Sequence, residues 1–188
     1  MQARLRVKLG ALAVVSSTAA LVLSGGTALA SSHAGARSVT GPEVISGALH
    51  GKAAVANNPI VPVTLRGVVS AHGTLSLGTS KSKTHTVSSS AGNLVVQGTG
   101  YKHATQTENM KTCRFTFTQD ITFNVLGGKS TGAFAGTSGP GAAQVYFAAF
   151  EPRYTSGKHK GQCNGNANPL AKGAVASFLA SVVLTVKR

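Results

Sequence analysis

Residues 113–141 read CRFTFTQDITFNVLGGKSTGAFAGTSGPG, and their first half alternates between apolar and polar side chains. A β-strand sends successive side chains to opposite faces, so this pattern predicts one aromatic and aliphatic face and one polar face. A helical period of 3.6 residues would instead scatter the apolar residues around the helix. The apolar row consists of Phe115, Phe117, Ile121, Phe123 and Val125, and it is interrupted by Gln119.

The double glycine Gly127-Gly128 follows this strand and supplies the positive φ angles of a turn. The glycine-punctuated residues beyond it are expected to return as the second strand of a β-hairpin. Gln119 stands on the face that should point inward. A buried polar group needs a partner, so Gln119 is expected either to bond to a neighbour or to line a cavity.

Alternation elsewhere predicts the other strands of an all-β domain. The favoured architecture is a single closed antiparallel β-barrel of about seven or eight strands, because closure removes exposed strand edges. A β-sandwich is the alternative. The long segment 61–77 is expected to bend at Gly67 or Gly73, and residues 151–169 are expected to form a long loop. The remaining strands are predicted at 45–55, 84–88, 94–98, 143–150 and 176–186.

The first thirty residues have the features of a signal peptide. A basic start precedes an apolar run, and Ala28-Leu29-Ala30 is a small-x-small cleavage site. An uncleaved membrane anchor is the alternative, and no later segment is long and apolar enough to cross a bilayer. We therefore expect a secreted, extracellular protein with a signal peptide at 1–30. A flexible segment is expected at 31–43 and the barrel domain at 44–188.

Two cysteines, Cys113 and Cys163, are present in the chain. In an exported protein a disulfide is the default expectation. Closing a loop of this length would stabilise the fold by about 4 kcal/mol in the chain-entropy model. A redox or metal-binding role is the alternative, but the sequence has no CxxC motif and no nearby histidine cluster.

The predicted mature chain is strongly basic, with fifteen Lys and Arg against four acids and a net charge of +11. Such a surface attracts polyanions, for example anionic polymers of a cell wall. The alternative is an extracellular protein that is merely basic. The basic residues form short pairs without interleaved aromatic residues, so no specific nucleic-acid motif is present.

The glycine pattern of the hairpin resembles a known signature. Gly127-Gly128, then TGAFAG at 131–136 and SGPG at 138–141, resemble GGTGxFxGAxGxG, with Lys129-Ser130 inserted. That signature occurs in the allene oxide cyclase and dirigent superfamily, and most closely in uncharacterised secreted actinobacterial barrels. The resemblance covers about residues 111–163. It implies a barrel, a cysteine before the hairpin and another after it, and an oligomer; no catalytic residue carries over.

Established catalytic patterns are absent from the sequence. The four acids are widely separated, which argues against a glycoside hydrolase. There is no GxSxG elbow for a serine nucleophile. The histidines show no HxH or HExxH spacing for a metal. We therefore predict no catalytic residue, no metal ligand and no cofactor.

The leading functional hypothesis is a non-catalytic binding or structural module whose barrel holds a small apolar ligand. Gln119, Tyr146 and Tyr154 are the candidate polar contacts at such a cavity or its mouth. One alternative, which the resemblance implies, is a cyclase-like or dirigent-like enzyme or coupling guide for a small apolar substrate. The other is surface binding of extracellular polyanions.

Overall fold

The computed structural model describes residues 37–76 and 83–187. The predicted signal peptide and residues 31–36 of the predicted flexible segment lie outside these ranges. The described chain contains eight strands and two short 3-10 helices, Gly51–Ala53 and Gly132–Phe134. The strands are β1 (Ser38–His50), β2 (Ile60–Gly67), β3 (Ala71–Ser76), β4 (Thr84–Ser89), β5 (Gly92–Asn109), β6 (Arg114–Val125), β7 (Gly139–Phe150) and β8 (Leu170–Lys187).

The sheet closes on itself. Each strand pairs antiparallel with the next, and β8 pairs with β1 from Ser38 opposite Lys187 to His50 opposite Val175. A sandwich would leave these two strands in separate sheets. The predicted closed antiparallel barrel of seven or eight strands is therefore confirmed, and the sandwich is wrong.

The alternating pattern decides which side chains fill the barrel. Phe123 and Val125 on β6 are buried, as the predicted apolar face requires. On β8 every second residue near the end of the strand is buried while its neighbours are exposed. Val183, for example, is 59% exposed. The buried residues of that row are Ala180, Val182, Leu184 and Val186.

The barrel begins earlier than the sequence indicated. β1 starts at Ser38 rather than at residue 44, so the prediction of a flexible segment is wrong for residues 38–43. Residues 38–43 pair with the last residues of β8, so the backbone hydrogen bonding between β1 and β8 extends through them. Val39, Gly41 and Glu43 also extend the inward row of Ile45, so they belong to the barrel wall.

Residues 61–76 of the predicted long strand form a hairpin rather than one bent strand, and residue 77 lies outside the described residues. The chain reverses after Gly67, whose φ is +150°. A Cβ at Gly67 would lie 2.1 Å from the carbonyl oxygen of Pro42, so only glycine allows β1 and β2 to approach this closely. The predicted strand over 45–55 also ends early, at His50, because the backbone turns into the 3-10 helix Gly51–Ala53.

One end of the barrel is sealed by residues 126–138, which we call the plug loop. Gly127 and Gly128 form the centre of a turn at the start of this loop, in which the N–H of Lys129 donates to the carbonyl of Leu126 at 2.9 Å, but neither glycine has the predicted positive φ. The chain then continues through the loop instead of returning at once as the second strand of the hairpin. Phe134 at its centre is completely buried. The backbone N–H groups of Thr131 and Ala133 donate to the carbonyls of Asn93 and Ala91, at 2.9 and 2.8 Å. The loop thus closes what we call the plugged end.

The opposite, open end carries the β5–β6 turn and the long β7–β8 loop, residues 151–169. The predicted disulfide joins them: Cys113 and Cys163 are bonded, with Cα atoms 5.3 Å apart. β4 pairs with β5 only as far as Gln97, whereas β5 continues to Asn109. The β5–β6 hairpin therefore projects past the shorter strands, and part of its inner face stays uncovered.

Candidate functional site

The barrel encloses a cavity of about 80 Å³. Every strand except β2 contributes to its wall, and the described part of the lining is apolar apart from a single imidazole. Because the inward rows of seven strands meet here, the cavity is a product of barrel closure and of no single motif. The lining residues are Ile45, Leu75, His85, Val87, Val96, Gly98, Ile121, Phe123, Ala143, Val145, Phe178 and Ala180.

Within residues 37–76 and 83–187, His85 is the one polar side chain in the cavity wall. It stands two residues before Val87, which is buried, so the period of the strand turns both side chains inward. Its Nδ1 atom is buried and has no hydrogen-bond partner among the described residues. A buried nitrogen without a partner is costly, so this atom is the most distinctive chemical feature of the cavity.

The wall beyond the cavity, toward the open end, is aromatic. Phe115 and Phe117 on β6 and Phe147 on β7 are only half-buried, although they stand in the inward rows. The rings of Phe115 and Phe147 are tilted against each other with centroids 5.9 Å apart. We call these three residues the aromatic mouth. They present apolar surface next to the cavity that no described segment fully covers.

Gln119 lies between the aromatic mouth and the cavity. It stands opposite Val145, and Val145 stands opposite Phe178. Directly opposed residues of an antiparallel sheet share a face, and both of those neighbours line the cavity. Gln119 is half-buried and its side chain has no hydrogen-bond partner within the described ranges. The predicted polar contact therefore stands at the edge of the cavity, not in its wall.

The two tyrosines are placed elsewhere. Tyr146 stands opposite Thr118 and Ser177, on the outer face of the sheet. Tyr154 lies in the β7–β8 loop, where its ring packs 5.7 Å from the ring of His159. The three predicted contacts do not meet in one site. The hypothesis of a cyclase-like enzyme required them to do so, and it therefore gains no support from this arrangement.

Two acids that are far apart in sequence meet at the open end. The carboxyl groups of Glu108 and Glu151 lie close enough for the negative charge of Glu108 to act on Glu151. Burial of Glu151, followed by that negative charge, raises the pKa of Glu151. The acids are widely separated in sequence, but the fold brings these two together. The pair does not line the cavity, so it adds no acid to that site.

A polar cluster occupies the outer face. Asp120 accepts a hydrogen bond from Gln144, and its other oxygen lies 3.1 Å from Nδ1 of His103. These two contacts hold the pKa of Asp120 below its usual value. The cluster borders an outer depression of about 550 Å³ that also contains Leu179. No hydroxyl group among the described residues hydrogen-bonds to His103, so the cluster is not a Ser-His-Asp triad.

Comparison with known proteins found no matching family model, no matching curated protein and no matching solved structure. The resemblance to the allene oxide cyclase and dirigent superfamily thus stays a prediction. Within residues 37–76 and 83–187, no helix has the length and hydropathy needed to cross a membrane. The same residues contain no group of three His, Cys, Asp or Glu side chains that could hold a metal ion.

Sequence reasoning overlooked His85 as a site residue. The signal was present, since the segment THTV places His85 on the same strand face as Val87. A histidine in an apolar row of a short strand indicates an inward imidazole. What the sequence could not indicate is that Ala143, Ala180 and Gly98 leave open space around it.

Proposed function

We propose that this protein is a secreted, non-catalytic binding protein whose barrel holds a small apolar ligand. The observation that supports it is the interior cavity of about 80 Å³, whose described wall is apolar except for one histidine. The half-buried aromatic mouth offers further apolar surface on the same inward face of the sheet. The disulfide at the open end supports secretion, because such bonds persist in oxidising compartments.

The size of the cavity limits the ligand. An apolar cavity of about 150 Å³ in another protein binds benzene or xenon, and this cavity is roughly half as large. We consider a ligand of about six heavy atoms that fills the cavity and contacts the aromatic mouth. The most favourable binding free energy that such a small ligand reaches is about 9 kcal/mol. The dissociation constant is therefore expected to be no tighter than about 0.3 μM.

Binding of xenon and toluene to the oxidised protein tests this proposal. Chemical-shift changes should concentrate on residues such as Val145 and Phe178. Ala143→Leu fills the cavity from β7 and should weaken toluene binding at least tenfold. Its neighbour Ala142 is exposed on the outer face, so Ala142→Leu is the matched control and should bind like the wild type. Failure of both probes to bind the wild type would refute the proposal.

A second candidate function is binding of anionic polymers at the open end. Seven of the thirteen Lys and Arg in the described ranges are exposed there, and the disulfide joins the β5–β6 turn to the β7–β8 loop, where four of the seven lie. Arg153 adds to this, since its guanidinium donates to the carbonyls of Lys111 and Gly161. Clustered cations of this kind attract polyanions in a salt-dependent way. The seven are Lys52, Lys111, Arg114, Arg153, Lys158, Lys160 and Lys172.

Heparin chromatography separates this site-specific attraction from net charge. The pair Lys158→Ser/Lys160→Ser removes two cations from the open end. The pair Lys129→Ser/Lys187→Ser removes the same charge from the plugged end and serves as the control. We expect the first pair to elute at lower salt than the second. Equal elution would mean that only net charge matters, and the second candidate would then be abandoned.

A further inference from the structure

We infer that the ligand of the cavity carries a hydroxyl group, as a small alcohol or phenol does, and that His85 binds that group. This inference rests on the proposed function and specifies which polar group the otherwise apolar ligand carries. It comes from one geometric fact: the buried Nδ1 atom of His85 has no partner among the described residues, and among those residues His85 is the only polar side chain that lines the cavity.

The chemistry of imidazole selects the hydroxyl. In a neutral histidine, Nδ1 is an acceptor in one tautomer and an N–H donor in the other. A hydroxyl group can donate to the first and accept from the second, so it satisfies either form. A carbonyl or ether oxygen serves only the donor form. The apolar remainder of the wall, including Val87, Phe123 and Ala180, requires that the rest of the ligand be hydrocarbon.

Selectivity should follow from this asymmetry. A purely apolar cavity disfavours a hydroxylated ligand, because the hydroxyl loses its hydrogen bonds to water. A cavity with an unpaired buried polar atom instead disfavours the ligand that leaves this atom unpaired. Two ligands of equal size, one with and one without a hydroxyl, therefore distinguish the two cases. Tighter binding of the hydroxylated ligand indicates a cavity with an unpaired polar atom, and weaker binding indicates a purely apolar cavity.

Phenol and toluene are such a pair, since a hydroxyl replaces a methyl. We expect phenol to bind the oxidised protein at least tenfold more tightly than toluene, and to move the Nδ1 resonance of His85 in ¹⁵N NMR. His85→Leu should remove this preference, so that phenol binds this variant no more tightly than toluene does. His85→Asn, whose amide reaches toward the position of Nδ1, should restore part of it. His72→Leu is the control, because His72 is exposed on neighbouring β3.

Three results would contradict the inference. Toluene binding as tightly as phenol to the wild type would overturn it and leave the proposed function standing. A phenol preference that survives His85→Leu would do the same. Binding of neither compound would overturn both. The wild-type NMR titration decides the matter even where a variant fails to fold, since phenol must shift Nδ1 of His85 and toluene must not.

Discussion

The carboxylate of Glu43 accepts a hydrogen bond of 2.9 Å from the backbone N–H of Val69. Glu43 is completely buried in the barrel, next to the turn between β2 and β3. Its second oxygen, Oε1, has no hydrogen-bond partner among the described residues. Burial raises the pKa of Glu43, and hydrogen bonds from the backbone of Val69 and Val68 oppose this in part. The buried carboxylate of Glu43 thus accepts a hydrogen bond from the turn between β2 and β3 and holds that turn against the apolar core.

This arrangement makes stability depend on pH. The pKa of Glu43 is higher in the folded state than its ordinary value of 4.5. The folded protein therefore binds the proton more tightly, and stability falls as pH rises from about 4.5 through the raised pKa. Glu43→Gln keeps an oxygen acceptor but cannot ionise, so the stability of this variant should fall less over the same range. Urea unfolding at several pH values measures it, and an unchanged slope would contradict the assignment.

The Glu108–Glu151 pair predicts a second titration effect. Glu108→Gln removes one negative charge beside Glu151, so the pKa of Glu151 should fall toward its ordinary value of 4.5. It should not fall the whole way, because burial of Glu151 is the larger cause and remains. Carboxyl ¹³C NMR follows this titration directly. The titration of distant Glu43 is the internal control and should not change.

The disulfide is expected to be a major source of stability. Replacing Cys113 and Cys163 together by serine opens a loop spanning 50 residues and should lower the free energy of unfolding by about 4 kcal/mol. Denaturant unfolding of the variant against the oxidised wild type measures this loss. The reduced wild type should behave like the variant. A loss below about 1 kcal/mol would show that the rest of the open end already holds these loops together.

The plug loop predicts a difference between two phenylalanines. Phe134 is completely buried at the plugged end, so Phe134→Ala should lower the free energy of unfolding by about 3–5 kcal/mol. Phe115 in the aromatic mouth is only half-buried, so Phe115→Ala should cost much less. Thermal or urea unfolding of both variants measures the difference. Similar losses would mean that the plug does not anchor the barrel.

Two glycines of the plug loop separate backbone strain from crowding. Gly132 and Gly136 both have positive φ, at +62° and +77°. An added Cβ at Gly132 would lie 2.3 Å from the carbonyl oxygen of Ala91, whereas at Gly136 it would meet nothing within 4 Å. Gly136→Ala should therefore cost only the conformational strain of about 1–2 kcal/mol. Gly132→Ala should cost clearly more, and equal losses in urea unfolding would contradict the close packing.

The strand pattern and the inward faces of this protein follow from local sequence. Alternation in β6 and β8 is enough to identify their buried rows, and two cysteines in a chain with the features of a signal peptide are enough to suggest their pairing. The local pattern is less informative about where the chain reverses direction at a single residue. Gly67 was recognised as a bend but not as a hairpin, because its role depends on the nearby carbonyl of Pro42.

The candidate site depended on long-range packing. The alternation in β6 correctly predicts that Gln119 faces inward. Its position at the edge of the cavity follows from how the strands align across the sheet. The same alignment places Tyr146 on the outer face, and Tyr154 lies in the β7–β8 loop. Glu108 and Glu151 meet only because the hairpin and the loop are joined at the open end. Register and loop geometry are set by contacts between distant segments, which a single sequence does not display.

Local pattern was sufficient to predict an all-β chain, the direction of its apolar faces and the pairing of Cys113 with Cys163, because a strand's period of two and the chemistry of thiols act locally. Long-range packing determines that residues 126–138 plug one end, that an apolar cavity remains inside, and that His85 lines it. An empty space has no sequence signature. It is the volume left when the side chains of seven strands pack together, and its size depends on all of them at once.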